Sequence, residues 1–381
     1  MDTQAEARTS KSARVVTPFD ADKLCGLMAE AGVDLVLANS RPNILYLTGG
    51  YYFHFHARFT RLGATQYLSF IGLPQADVAA TFYVGTTNER GQMEAESLWI
   101  DRRLPAERGT VSAAQAAAAH VRALGLERAA IAVELPFLPA DALLTLQREL
   151  PLARFVDATP IFDGLRARKT PQELAQLRTV HDRVAEAIQV SFYAGRPGIA
   201  TAEIADRVRV EMESRGLDYL WSFTCAGPSV LRAPSRMAWE RGHVLHIDAG
   251  GEERGYLADI CRMGSLGEPS ALARNLYDAC IAVQDQVRAV VRAGLPCADL
   301  LRAGEAALQQ TRFAHGMVSH EHPMIARDNR RPLEEGHVLS IETEFIHPEV
   351  GFVKIEDAVA VTESGGEGLG DRGREWQIVP V

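Results

Sequence analysis

The sequence has little of what marks secreted, membrane-bound or nucleic-acid-binding proteins. Its 381 residues include five scattered cysteines and no CxxC pair, so we expect reduced thiols and a cytoplasmic protein. No apolar run reaches the roughly eighteen residues of a membrane span, and residues 1–14 predict a loose polar tail without a signal peptide. Acidic residues outnumber basic ones, 49 to 40, which argues against nucleic-acid or anionic-membrane partners.

The chain is longer than one hydrophobic core usually covers, so we expect two domains. Residues 15–165 alternate helical and extended signals, which is typical of an α/β domain. Residues 51–61 are crowded with aromatic, histidine and arginine side chains, and we interpret them as a strand-to-loop connection, with a substrate-contacting loop as the alternative. Predicted strands lie at residues 33–38, 43–48, 66–71, 78–84, 97–101 and 129–133, and predicted helices at 20–31, 112–125 and 139–150.

Residues 166–381 form the second predicted domain. Its first helix begins sharply, because Thr170 is a good N-cap, Pro171 suits the first helical position and Glu173 completes a capping box. The few helices and the extended segments predict an α+β domain in which helices cover an antiparallel sheet. Further helices are predicted at residues 201–215, 270–293 and 298–310, and extended segments at 244–249, 256–260, 337–342 and 352–361.

Two aspartates, Asp248 and Asp259, flank a glycine-rich stretch in this domain. We expect Gly250 and Gly251 to break the first strand, so that the aspartates face each other across a hairpin. Two facing carboxylates repel each other unless a cation lies between them. The segment therefore predicts half of a metal site.

The other half is predicted from residues further along the chain. A loop marked by glycine and proline carries His315, His320 and His322, and neutral imidazole is a preferred ligand of divalent transition metals. Glu342 ends an apolar segment and Glu356 lies inside another, where a half-buried strand normally carries an uncharged residue. Both glutamates therefore need a partner.

These residues resemble the pita-bread metallopeptidases, which include Xaa-Pro aminopeptidases, prolidases, methionine aminopeptidases and creatinase. The resemblance implies a pita-bread catalytic domain preceded by a smaller α/β creatinase-like domain, since residues 43–49 also resemble the amino-terminal domain of the creatinase and Xaa-Pro branch. It rests on Asp248-Ala-Gly, Gly255-Tyr-x-x-Asp259-Ile-x-Arg262, His315-Gly316, Glu342 and Ile355-Glu356-Asp357.

The resemblance also implies roles for these residues. Asp259 and Glu356 would bridge two divalent ions, Asp248 would complete the site of one, and His315 with Glu342 that of the other. Oxygen-rich ligation suits manganese, cobalt, iron or zinc. Glu342 is also the candidate general base, and a homodimer is implied in which the amino-terminal domain of one subunit borders the pocket of the other. His320 and His322 are alternative candidates for a histidine that stabilises the oxyanion.

The sequence departs from the family upstream of Asp248. Family peptidases carry a histidine there, whereas residues 230–235 contain none. Arg232 in this stretch suggests an anionic substrate group, with a solvated loop arginine as the alternative, and Trp221 is either a pocket wall or a core strand residue. Lys354 replaces the arginine that usually precedes Ile-Glu-Asp, and it keeps the charge without the bidentate fork.

Three functions follow as hypotheses. The first is a dinuclear metal-dependent hydrolase that cleaves a C–N bond, with Xaa-Pro di- or oligopeptides as substrates. The second is the same scaffold acting on a small non-peptide metabolite, as a creatinase-like amidohydrolase or a metal-assisted lyase. The third is a metal-free binding protein, which the retention of Asp248, Asp259, Glu342 and Glu356 argues against.

Overall fold

The computed structural model describes residues 15–61, 66–96, 98–311, 313, 315–316 and 323–381. The predicted tail at residues 1–14 therefore lies outside the described residues. The chain divides into two compact units, the first ending at Leu165 and the second beginning at Arg166. None of the helices in the described ranges combines the length and apolarity that a membrane span requires.

The first unit is built on a mixed six-stranded sheet. Its strand order is β4-β3-β2-β1-β5-β6, with parallel pairing of β1 with β5, β5 with β6 and β3 with β4. Apolar side chains on both sheet faces are buried against helices, as in α/β domains. The elements are α1 Ala21–Glu30, β1 Leu35–Ala38, α2 Arg41–Thr48, α3 His54–Arg61, β2 Phe70–Pro74, β3 Phe82–Thr86, α4 Arg90–Ala95, β4 Arg102–Ala106, α5 Thr110–Ala123, β5 Ala130–Val133, α6 Ala140–Glu149, β6 Arg154–Asp157 and α7 Thr159–Ala167.

Several strand predictions in this unit were wrong. Residues 43–48 form most of helix α2, because Ser40 caps its start and Gly49 ends it in the left-handed conformation. The predicted connection at residues 51–61 contains helix α3. The segments predicted at residues 66–71, 78–84 and 97–101 lie too early in the chain, since the strands are β2, β3 and β4. Strand β6 and helix α7 were not predicted.

The second unit is dominated by an eight-stranded sheet. Its main order is β12-β13-β14-β11-β10-β8, with β15 paired to β14 and β16 to β11. The long pairings β8–β10, β10–β11 and β13–β14 are antiparallel, and helices α8, α9 and α10 pack apolar side chains against the sheet. The elements are α8 Pro171–Tyr193, β7 Ile199–Ala200, α9 Thr201–Ser214, β8 Asp218–Ala226, β9 Ala238–Trp239, β10 Val244–Glu253, β11 Tyr256–Leu266, α10 Ala271–Val290, α11 Cys297–Gln309, β12 His315–Gly316, β13 Val338–His347, β14 Gly351–Val361, β15 Gly366–Leu369 and β16 Gln377–Val379.

Helix α8 begins where its capping signal predicts. The Thr170 hydroxyl accepts a hydrogen bond from the Glu173 amide at 3.2 Å, and the Glu173 carboxylate accepts one from the Thr170 amide at 2.8 Å. These bonds satisfy backbone donors that have no partner within the helix. The sequence prediction for this helix start is confirmed.

We expect Thr170→Ala to lower the free energy of unfolding of the second unit by about 1 kcal/mol, because the cap is lost. Urea denaturation followed by circular dichroism measures the change. Thr179→Ala is the matched control, since Thr179 lies in the exposed middle of the same helix and bonds only to a preceding carbonyl. An equal loss in both variants would contradict a capping role for Thr170.

Candidate metal centre and active site

Three of the predicted ligands, Asp248, Glu356 and Glu342, lie on one row across the second sheet. In the strand register, Asp248 lies opposite Cys261, Cys261 opposite Glu356, and Glu356 opposite Glu342. Residues directly opposite each other on neighbouring strands point to the same face of a sheet. The register therefore brings carboxylates from β10, β14 and β13 to one face, and all three are buried.

Asp259 joins this face from a neighbouring row. It lies opposite Gly250, which is two residues after Asp248, so the two aspartates are diagonal neighbours on β10 and β11. Carboxylate oxygens of Asp248, Asp259 and Glu356 all lie within 4.8 Å of one another. The aspartates thus share a face, but they are not directly opposite as the sequence prediction had it.

The predicted strand break at Gly250 and Gly251 was wrong. Strand β10 continues through both glycines to Glu253, and the turn follows at Arg254 and Gly255, which both have positive φ angles. A side chain at Gly250 has no room, because a Cβ atom there would lie 2.3 Å from the Trp221 ring. Gly250 therefore allows an indole to cover the strand beside the carboxylates.

The donor set fits a divalent cation. Asp259 Oδ1 is buried and has no hydrogen-bond partner among the described residues. Burial, followed by the charge of Glu356, raises the pKa of Asp259 to about 9. Converging carboxylate oxygens with an unsatisfied atom are the chemistry that hard and borderline metal ions bind. Asp248, Asp259 and Glu356 have such converging oxygens, and Glu342 lies beside them, opposite Glu356 in the strand register.

Lys354 lies in the middle of these carboxylates. Its Nζ is 2.7 Å from Asp248 Oδ2 and 2.7 Å from Glu356 Oε2, and it also contacts Glu342 Oε2. Burial alone would lower the pKa of Lys354, but the surrounding carboxylates, Glu356 above all, raise it above its usual value. Conversely, burial alone would raise the pKa of Asp248, but Lys354 holds it below its usual range. Lys354 is therefore a buried cation that offsets part of the carboxylate repulsion.

Arg232 reaches the same cluster from the segment after β8. One of its Nη atoms donates to Asp248 Oδ2, and its guanidinium lies 5.1 Å from the ring centres of both Phe223 and Phe352. The side chain is only 33% exposed, so it is not a solvated loop arginine. Trp221 stacks with Phe223 at 6.4 Å on the same face of β8.

The histidines have different positions. His315 lies in β12, whose backbone pairs with Glu344 and Phe345 of β13, while His320 and His322 lie outside the described residues. His246 is a strand-face residue, as the sequence predicted, and its ring packs against Phe352 at 5.0 Å. Complete burial lowers the pKa of His246 to about 3, so its imidazole is neutral.

Two polar partners of the carboxylates were not predicted in this role. Ser340 Oγ donates to Glu356 Oε1 at 2.7 Å, and Lys354 contacts three acids at once. The sequence carried one signal for Lys354, since a lysine inside an apolar strand needs nearby negative charge. Ser340 carried no signal, because its partner is set by the register of β13 with β14.

Comparison with known proteins identifies the families of both units. Residues 174–363 match the model of Metallopeptidase family M24, and residues 21–168 match that of the Creatinase/Prolidase N-terminal domain. An uncharacterized peptidase, YqhT of Bacillus subtilis, is 25% identical over 374 residues, which cover 94% of this chain and 99% of that protein. The Xaa-Pro dipeptidase of Lactobacillus helveticus is 26% identical over 253 residues, which cover 62% of this chain and 69% of that protein.

Solved structures share the whole architecture. The X-Pro aminopeptidase of Thermotoga maritima superposes with a TM-score of 0.78 at 20% identity, covering 95% of this chain and 99% of that one. The dipeptidase of Pyrococcus horikoshii superposes with a TM-score of 0.79 at 19% identity, covering 95% of this chain and 99% of that one. The predicted fold, an α/β creatinase-like domain before a pita-bread domain, is confirmed. The chain belongs to metallopeptidase family M24, a family of metal-dependent hydrolases, and its first unit is a Creatinase/Prolidase N-terminal domain.

Proposed function

We propose that the protein is a dinuclear metal-dependent hydrolase that cleaves the amide bond of Xaa-Pro dipeptides or short oligopeptides. The observation that carries this proposal is the convergence of carboxylates from β10, β11, β13 and β14 on one sheet face, three of them buried. Relatives named Xaa-Pro dipeptidase support the substrate class.

The residues of the site would have separate roles. Asp248, Asp259, Glu342 and Glu356, with His315, would hold the ions. Divalent ions bound there supply Lewis-acid activation of the amide carbonyl and of a water molecule. Glu342 would take the proton of the attacking water on a carboxylate oxygen and return it to the leaving nitrogen. Lys354, in contact with Asp248, Glu342 and Glu356, would keep these acids at a fixed separation.

A second candidate is hydrolysis of a small non-peptide amide on the same scaffold. It is favoured by Arg232, which contacts Asp248 from the stretch where the peptidases that the sequence resembles carry a histidine. An arginine cannot act as an acid or base near neutral pH, since its pKa lies far above that range. A catalytic step in which that histidine acts as an acid or base therefore has no residue to perform it in this stretch.

The test combines metal analysis with a substrate panel. We expect the purified protein, supplied with Mn, Co, Fe or Zn, to hold up to two equivalents per chain and to hydrolyse Xaa-Pro dipeptides. A chelator should reduce hydrolysis to background, and added metal should restore it. Hydrolysis of small amides without any Xaa-Pro cleavage would favour the second candidate. A protein that binds no metal after supplementation would refute both.

A further inference from the structure

Arg232 is held in place on several sides. Its backbone carbonyl accepts a hydrogen bond from the Thr224 amide at 2.8 Å, which ties the segment after β8 back onto that strand. The Phe223 and Phe352 rings both lie 5.1 Å from the guanidinium carbon, close enough for cation–π attraction. The guanidinium is therefore fixed before any ligand arrives.

This guanidinium retains donors for a second acceptor. In the part of the chain that the structure describes, the guanidinium of Arg232 has one hydrogen-bonding acceptor, Asp248. That bond uses only one of its Nη atoms. A guanidinium carries several N–H donors in a planar fork that matches a carboxylate. Because 33% of the side chain is exposed, a ligand can approach it from solvent.

Among the described residues, Arg232 is the second of two cations that contact Asp248. Lys354 Nζ already lies 2.7 Å from the oxygen that Arg232 contacts, and Lys354 is almost completely buried. Lys354 is shared with Glu342 and Glu356, so Arg232 adds a second positive charge at the more exposed edge of the cluster.

An apolar surface lies beside this charge. Phe223 is 41% exposed, and Trp221 stacks with it along β8, where the two residues lie opposite Asp248 and Gly250. Together, Arg232, Phe223 and Trp221 present a cation next to an aromatic strip at the edge of the carboxylate cluster. This combination matches a small ligand that carries an anionic group next to an apolar group.

We propose that Arg232 is a specificity-determining residue that binds a substrate carboxylate, so that the enzyme prefers small substrates with a free carboxylate close to the scissile amide. The inference deepens the proposed function and rests on it for the position of the scissile bond. It predicts a preference for free dipeptides over their carboxyl-terminal amides.

The test compares each acid with its amide on the same preparation. For the metal-loaded wild-type protein we expect kcat/KM for Ala-Pro to exceed that for Ala-Pro amide by about 10- to 100-fold, the effect of one hydrogen bond to a charged group. Arg232→Met should reduce this ratio to near one. The ratio is insensitive to any loss of metal in the variant, because both substrates meet the same enzyme.

Arg236→Met is the matched control, because Arg236 is exposed on the same segment and the acid-to-amide ratio should not change. Calorimetry with L-proline and L-prolinamide on the metal-loaded protein gives a readout without turnover. No acid preference in either assay, or a preference that survives Arg232→Met, would overturn the proposal. If no dipeptide is hydrolysed but the binding preference exists and depends on Arg232, the proposed function fails and this inference stands.

Discussion

Replacing Glu342 with glutamine is expected to lower kcat by about 10²- to 10⁴-fold, the range lost with a general base. Glutamine has nearly the same shape, so the buried position on β13 stays filled while the proton acceptor is removed. The substitution also replaces a charged carboxylate ligand by a neutral amide, so metal binding should weaken as well. Steady-state kinetics at saturating metal, with metal content measured by elemental analysis, separates the two effects.

Glu349→Gln is the matched control, because Glu349 is exposed in the turn between β13 and β14 and should leave kcat unchanged. If Glu342→Gln kept both its metal and its full turnover, another group would have to move the proton. A variant that lost metal in proportion to activity would reduce Glu342 to a ligand without a role as base.

Local signals predicted the second unit better than the first. Helix α8 has a capping box within four consecutive residues, and its start could be predicted from these alone. Residues 44–47 are apolar or aromatic, as strand residues often are, but Ser40 and Gly49 place them in a helix. Glu134 supports that helix start by accepting hydrogen bonds from the Asn39 and Ser40 amides. That contact joins residues far apart in the sequence, so no local pattern contains it.

The sequence predicted which residues form the site better than it predicted how they are arranged. Asp248, Asp259 and Glu356 could be chosen because acids are unusual in apolar strands, and the structure brings these three together. The diagonal position of Asp248 relative to Asp259 depends on the turn at Arg254 and Gly255, and not on the glycines at 250 and 251. Strand register is set by pairing between distant segments. For the same reason the position of Lys354 among three acids could not be predicted.

The opposite face of the same strands holds a second polar cluster. Glu356 and Asp357 are adjacent on β14, so their side chains point to opposite faces of the sheet. Asp357 is completely buried and pairs with Arg262 at 2.7 Å, Arg374 at 3.0 Å and Arg288 at 3.4 Å. The carboxylates on one face are thus backed by a charged network on the other.

Arg262 connects this network to the ligand strands. Its Nη1 donates to the backbone carbonyls of Glu356 at 3.0 Å and Cys261 at 2.9 Å. Its Nε and Nη2 donate to the carbonyls of Arg372 at 2.8 Å and Gly370 at 2.9 Å. The one side chain therefore ties β11, β14 and the carboxyl-terminal segment together behind the carboxylate row.

Arg262→Met is therefore expected to lower the free energy of unfolding of the second unit by about 3–5 kcal/mol, the cost of breaking a buried ion pair on one side. Methionine fills much of the space but leaves Asp357 short of one cation and several carbonyls without a donor. Urea denaturation of the metal-free protein measures the loss. Arg372→Met is the matched control, because its side chain is exposed and its ion pair with Asp182 is long, at 3.9 Å. A loss below about 1 kcal/mol in Arg262→Met would show that Arg288 and Arg374 suffice for Asp357, and that the network does not hold the ligand strands together.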